Sequence, residues 1–167
     1  DYLSGFNGFC FKNDMSIASN YQHFTDMVDV QNYIDYFAAQ IYWNNQDWPH
    51  NNTALWKSSV KDPSNPYADG KWRMLMFDTE YSLGLYGSDN TSATFDTFKR
   101  IASNTHGYCK MFTALLKNQE FAQQFGITIM DLANNNFAPE KTTTLIEEMS
   151  NKLATPITDT RTRFNTG

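Results

Sequence analysis

Between Val30 and Ile41 the apolar side chains Val30, Ile34, Phe37, Ala38 and Ile41 recur at helical spacing. The stripe predicts an amphipathic helix with one buried face. Asp26 or Asp29 can cap its start. Asn44-Asn45 breaks the helix and Pro49 prevents it from resuming, because proline lacks the amide a helix needs and clashes with the preceding turn. The helix therefore hands Asp47 to a polar loop, Asn44-Asn45-Gln46-Asp47-Trp48-Pro49-His50-Asn51-Asn52.

Downstream, Leu55-Trp56-Lys57 and Lys71 to Phe77 predict the two strands of a small hairpin. Between them, residues 61 to 70 are dense in Pro, Asp, Asn, Ser and Gly, the vocabulary of turns. The second strand ends on Asp78. The first 25 residues lack a sustained period and read as loop with room for one short helix, and residues 84 to 107 read as irregular. Met111, Phe112, Leu115, Leu116 and Phe121 predict a helical stripe; Ile127, Met130 and Leu132 suggest a second, ending at Asn134-Asn135-Asn136. Pro139-Glu140 opens a third helix, with Leu145, Ile146, Met149 and Leu153 expected inward. The fold class expected is mainly α (α+β), helical with one small hairpin.

A chain of 167 residues that is 41% hydrophobic and 16% aromatic fits one domain with a real core. Its net charge of -5, with no Lys/Arg cluster, argues against a general nucleic-acid binder. No apolar run approaches the roughly 20 residues that span a bilayer. The chain opens at Asp1 without a Met, so residues 1–167 are expected to be a single domain cut from a longer protein. Cys10 and Cys109 are far apart in sequence; two buried free thiols are the plainer expectation, a disulfide the alternative. Asn51-Asn52-Thr53 and Asn90-Thr91-Ser92 match glycosylation sequons, which arise often by chance in an Asn-rich chain.

The loop and the strand end carry the chemistry. An Asp, an Asn five positions later and an Asp closing a following strand form the arrangement that phosphoryl transfer uses. That reaction needs a carboxylate to orient the acceptor hydroxyl, metal ions bridging phosphate oxygens, and rigid geometry. Asp47 is the candidate acceptor-orienting base. Hard cations such as Mg²⁺ prefer carboxylate and amide oxygens, which Asp78, Asn52 and Glu80 can offer. The hairpin between them folds the strand end at Asp78 back beside the loop.

Three segments carry a resemblance: Asp29-Val30-Gln31-Asn32-Tyr33-Ile34-Asp35-Tyr36-Phe37, then Asn45 to Asn52, then Gly70-Lys71-Trp72-Arg73 with Phe77-Asp78-Thr79-Glu80-Tyr81-Ser82-Leu83-Gly84. Together they resemble the spore coat protein H (CotH) kinase family, closely over residues 26 to 87 and more loosely to Phe164. The resemblance implies an atypical protein-kinase-like fold. It also implies the use of ATP with Mg²⁺ or Mn²⁺ to phosphorylate Ser or Thr of secreted or cell-surface proteins. By position, it makes Asp47 the catalytic-loop Asp, Asn52 its metal-binding Asn and Asp78 the nucleotide-metal Asp. Where the family usually has a second Asp, this chain has Glu80, whose longer side chain can still reach a metal. The 46 residues before Asp47 contain no strand-borne Lys and no Gly-rich phosphate loop. The resemblance is therefore to the carboxyl-terminal lobe, and this segment alone is expected to be inactive or nearly so.

Plainer readings stand beside these. Asp47 can be a turn residue, Asn52 a turn cap, Asp78 a hydrogen-bonded structural acid and Glu80 a surface charge. His50 invites a metal reading with Asp47, but His23 and His106 stand at no ligand spacing from it, so it reads as a loop histidine. Trp43, Trp48, Trp56 and Trp72 can pack around the hairpin or form a sugar-binding platform. The rival functions are thus an extracellular module binding glycan or a surface protein, a non-catalytic pseudokinase scaffold, and hydrolysis by a carboxylate pair roughly 5–9.5 Å apart.

Overall fold

The computed structural model describes residues 6–85, 92 and 94–165. The chain divides into two compact units, Asp1–Ile129 and Met130–Gly167. In the first, α1 (Phe6–Lys12) and α2 (Ala18–Met27) precede α3 (Val30–Tyr42). A hairpin of β1 (Ala54–Trp56) and β2 (Arg73–Leu75) follows, then α4 (Thr97–Ala102), α5 (Gly107–Leu115) and α6 (Gln119–Asp131). The second unit holds the end of α6, a π-helical turn over Leu132–Asn136, and α7 (Pro139–Phe164). The fold is mainly α with one two-stranded antiparallel sheet, as its sequence predicts.

The core is aromatic and centres on α3. Phe37 stacks on Phe112 of α5 with ring centres 4.9 Å apart and on Tyr33 at 4.5 Å, and meets Trp48 edge-on at 4.9 Å. Phe125 of α6 closes on Phe112 at 5.0 Å. Each ring removes a large apolar surface from water, and offset or edge-on pairs add roughly 0.5–1.5 kcal/mol beyond burial. Trp48 is fully buried, so the residue next to Asp47 plugs the polar loop into this core. The Trp48–Pro49 peptide is cis.

Asp29, rather than Asp26, starts α3. One of its oxygens accepts from the Asn32 amide at 3.2 Å, and the other receives Arg73 Nε at 2.8 Å. Arg73 is 5% exposed and also donates to both carboxylate oxygens of Asp69 at 2.9 Å, while the carbonyls of Tyr67 and Pro66 accept from it. The rings of Trp56 and Tyr67 lie against its guanidinium. One cation thus gathers the turn-rich segment 61–71, the hairpin and the start of α3. Asn32 completes the attachment. Its amide oxygen accepts from Met74 N at 2.6 Å and its Nδ2 donates to Met74 O at 3.3 Å, as a neighbouring strand would.

The structure corrects several element expectations. The amino-terminal segment forms two helices, because Tyr21, Phe24 and Cys10 find buried partners that no long periodicity announces. A six-residue helix, α4, lies within the segment expected to be irregular; Asp96 caps it by accepting from Lys99 N at 2.8 Å. β1 is shifted by one residue to Ala54–Trp56, and β2, Arg73–Leu75, is shorter than the expected Lys71–Phe77 run, so Asp78 lies three residues beyond its end. Leu145, Ile146, Met149 and Leu153 of α7 are exposed rather than inward, since periodicity reports an apolar face but not its partner. Cys10 and Cys109 are buried free thiols. Burial pushes them up to about 12 and about 11, so both stay uncharged at neutral pH. Asn51 of the first sequon is exposed; the Asn90-Thr91-Ser92 sequon lies outside the described residues apart from Ser92. Among the described residues no helix is long and apolar enough to cross a membrane.

Replacing Arg73 with Ala strands Asp29 and Asp69. The expected loss is about 2–3 kcal/mol in urea unfolding, less than for a wholly buried pair because both carboxylates reach water. Arg73 holds the Asp69 carboxyl down at about 2 from the usual 3.8. As pH falls, the unfolded chain therefore takes up this proton first. The pair's stabilisation is fully present above about pH 4 and is lost towards pH 2, so Asp69→Asn should flatten the stability curve across that window.

Candidate active site

Three pieces converge at the carboxyl end of α3: the Asn44–Asn52 loop, the segment after β2, and α4. Gln40 begins the arrangement. Fully buried on an otherwise apolar face of α3, its Oε1 accepts from Asn45 Nδ2 at 2.9 Å while its own Nε2 faces Met76 Sδ at 3.5 Å. Asn45, also fully buried, uses every polar group. Its amide N–H donates to Gln40 O at 3.2 Å, its Oδ1 accepts from Asp47 N at 3.1 Å, and its carbonyl accepts from Arg100 Nη2 at 2.8 Å. Arg100, on α4, donates again to Trp48 O at 3.3 Å. The segment after β2 is tied to the same loop by Gln46 N to Tyr81 O and Leu83 N to Trp43 O, each 2.9 Å.

On this base sits the candidate catalytic group. Asp47 Oδ1 accepts from Asn51 Nδ2 at 2.7 Å and Oδ2 from Asn52 Nδ2 at 2.8 Å. Two amides fix the carboxylate plane, yet each oxygen keeps a second acceptor site for a hydroxyl. Asn52 Nδ2 also approaches Asp78 O at 3.5 Å, and Tyr36 of α3 donates its hydroxyl to Asn52 O at 3.3 Å. The structure thus brings Asp47, Asn52 and the Asp78 backbone together across the hairpin. Glu80 is exposed two residues further on.

The backbone here is held in conformations that side chains disfavour. Asn44, Asn52, Asp78 and Leu83 all take left-handed φ values of 52–55°. Asn and Asp tolerate that region; for Leu83 it costs roughly 1–2 kcal/mol. Such strain persists only where surrounding contacts over-determine it, and it concentrates at functional sites.

The donor set suits a hard cation. Asn52 commits its amide nitrogen to the protein, and among the described residues its Oδ1 and the Asp78 carboxylate accept no hydrogen bond. All the available donors are oxygens. No three His, Cys, Asp or Glu side chains cluster for metal binding among the described residues. Mg²⁺ commonly makes do with one or two carboxylates and completes its shell from phosphates and water.

A family model described as CotH kinase protein matches residues 1–166. The chain belongs to the CotH kinase family. No curated protein and no solved structure matches it. Membership carries a kinase-like function at family level, and with it a nucleotide and a protein substrate.

Neither Gln40 nor Arg100 is legible as part of the site in the sequence. A lone Gln in an apolar stripe is the only signal of the first, and nothing signals the second. His50 is a loop histidine, as expected, and His106 lies beside it with ring centres 5.0 Å apart. Of the tryptophans, Trp48 is buried, whereas Trp56 is exposed; Arg73 and Lys57 stand over one face of the Trp56 and Trp72 rings.

Asn45→Ala should strand Gln40 Oε1 and the Asp47 amide, at roughly 1–3 kcal/mol for each orphaned group. Denaturant unfolding checks the loss. Amide exchange at Asp47 should accelerate beyond what the global destabilisation explains.

Proposed function

We propose that this chain carries the acceptor-orienting and metal-binding part of an ATP-dependent kinase acting on protein Ser or Thr hydroxyls. The observation that carries this reading is Asn52, whose single amide reaches both Asp47 and the Asp78 segment. Asp47 accepts the hydrogen bond of the incoming hydroxyl and takes up its proton as phosphorus is attacked. Its two amide partners keep it from rotating away. Asn52 Oδ1, the Asp78 carboxylate and Glu80 would hold Mg²⁺ or Mn²⁺. A cation bound there with ATP supplies charge neutralisation at the phosphates.

The plainer roles explain less. A turn residue at Asp47 needs no second amide, and a turn cap at Asn52 needs no contact with the strand end. The exposure of Asp78 removes the need for a structural partner. We place the substrates among secreted or cell-surface proteins on the sequence resemblance alone.

The test uses the longest form of the parent protein, labelled ATP and Mg²⁺. Asp47→Asn should lower transfer to protein hydroxyls by about 10²–10⁴-fold while leaving metal-nucleotide binding in place. Asp78→Asn should abolish that binding in calorimetry without unfolding the chain. Wild-type transfer in both variants would sink the proposal. Absence of transfer by the intact wild-type parent would favour a non-catalytic scaffold.

A further inference from the structure

A second side-chain cluster lies at the rim of the Asp47 loop, and the proposed phosphoryl transfer does not use it. His50 is exposed on that loop, and His106 is half-buried as the residue capping the start of α5. Their rings meet edge-on at 5.0 Å and 77°. Two imidazoles that share one ion at about 2.0–2.1 Å per nitrogen place their ring centres about 5 Å apart. A shared ion therefore fits this ring-centre spacing.

One amide sets both rings. Asn104 Oδ1 accepts from His106 N at 2.8 Å, and its Nδ2 lies 3.5 Å from His50 Nε2, the outer limit of a hydrogen bond. Tyr108 stacks on the His106 ring at 5.4 Å. The Nδ1 of His106 is shielded from solvent and has no hydrogen-bond partner among the described residues, which buried ring nitrogens rarely lack. Burial and the neighbouring His50 lower the His106 pKa, favouring the neutral ring that binds metal.

We propose that His50 and His106 form a two-histidine chelate for one borderline divalent cation of the zinc, nickel or copper class. Imidazole nitrogen selects these ions, whereas carboxylate and amide oxygen select Mg²⁺. The site is therefore chemically separate from Asp78, Asn52 and Glu80. Only two protein ligands are present, so water fills the remaining positions. Occupancy would tie the Asp47 loop to the start of α5. None of this depends on phosphoryl transfer.

The experiment is calorimetric titration of Ni²⁺, then Zn²⁺, into the protein freed of any histidine tag, in excess Mg²⁺. Wild type should bind one equivalent. His50→Asn and His106→Asn should weaken binding by roughly tenfold or more, at least the loss that follows from removing an outer partner of a ligand. His23→Asn and Asp78→Asn should bind as wild type does. Because His50 is exposed, its variant decides the matter even if His106→Asn misfolds. Zn²⁺ should also raise Tm in wild type and not in His50→Asn. Undiminished binding by His50→Asn, displacement by Mg²⁺, or no stoichiometric binding by wild type would each overturn the proposal.

Discussion

The Asp47 loop rests on one buried residue, Asn45. Its four hydrogen bonds join α3, the backbone of Asp47 and α4 in a region closed to water. Inside a low-dielectric core an unpaired amide is costly, so leaving any of these four bonds unmade is penalised. Trp48 adds the apolar half of the same lock. Asp47 sits between a buried amide two residues before it and a buried indole one residue after it. A surface-facing carboxylate is thus aimed by groups that never see solvent.

In the proposed transfer this fixed geometry would serve electrostatics. Positioned groups help a reaction when they need not reorganise as charge moves. The amides of Asn51 and Asn52 hold the Asp47 oxygens, and Asn52 spends its nitrogen on the protein while its oxygen accepts no hydrogen bond among the described residues. Left-handed backbone at Asn52 and Asp78 turns both residues towards one another. The hairpin brings them together over 26 residues of sequence, and Arg73 keeps that hairpin from drifting off α3.

Much of this was legible in the sequence, and the reason is locality. The α3 stripe, its break at Asn44-Asn45, the turn-rich span and the apolar run before Asp78 each announce themselves within a dozen residues. The kinase resemblance likewise rests on short contiguous motifs, and the family match bears it out. What escaped depends on distant partners. Arg73 looks like an ordinary strand residue until Asp29 and Asp69 close on it. His50 and His106 are 56 positions apart, and only the packing of α4 and α5 brings them side by side. The stripe on α7 shows the converse: its spacing names a face, and no spacing can name what covers it.

Asn32 has a consequence beyond anchoring the hairpin. By meeting both the amide and the carbonyl of Met74, it occupies the outer margin of β2 at the place where another polypeptide would begin to pair. Exposed sheet margins are templates for intermolecular polymerisation, and proteins usually blunt them with charge, proline or bulges. Here a side-chain amide impersonates the missing backbone. Exposed Leu75, Met76 and Phe77 just beyond would otherwise make that margin adhesive. The same residue that fixes the strand against α3 therefore also guards the chain against self-association along β2.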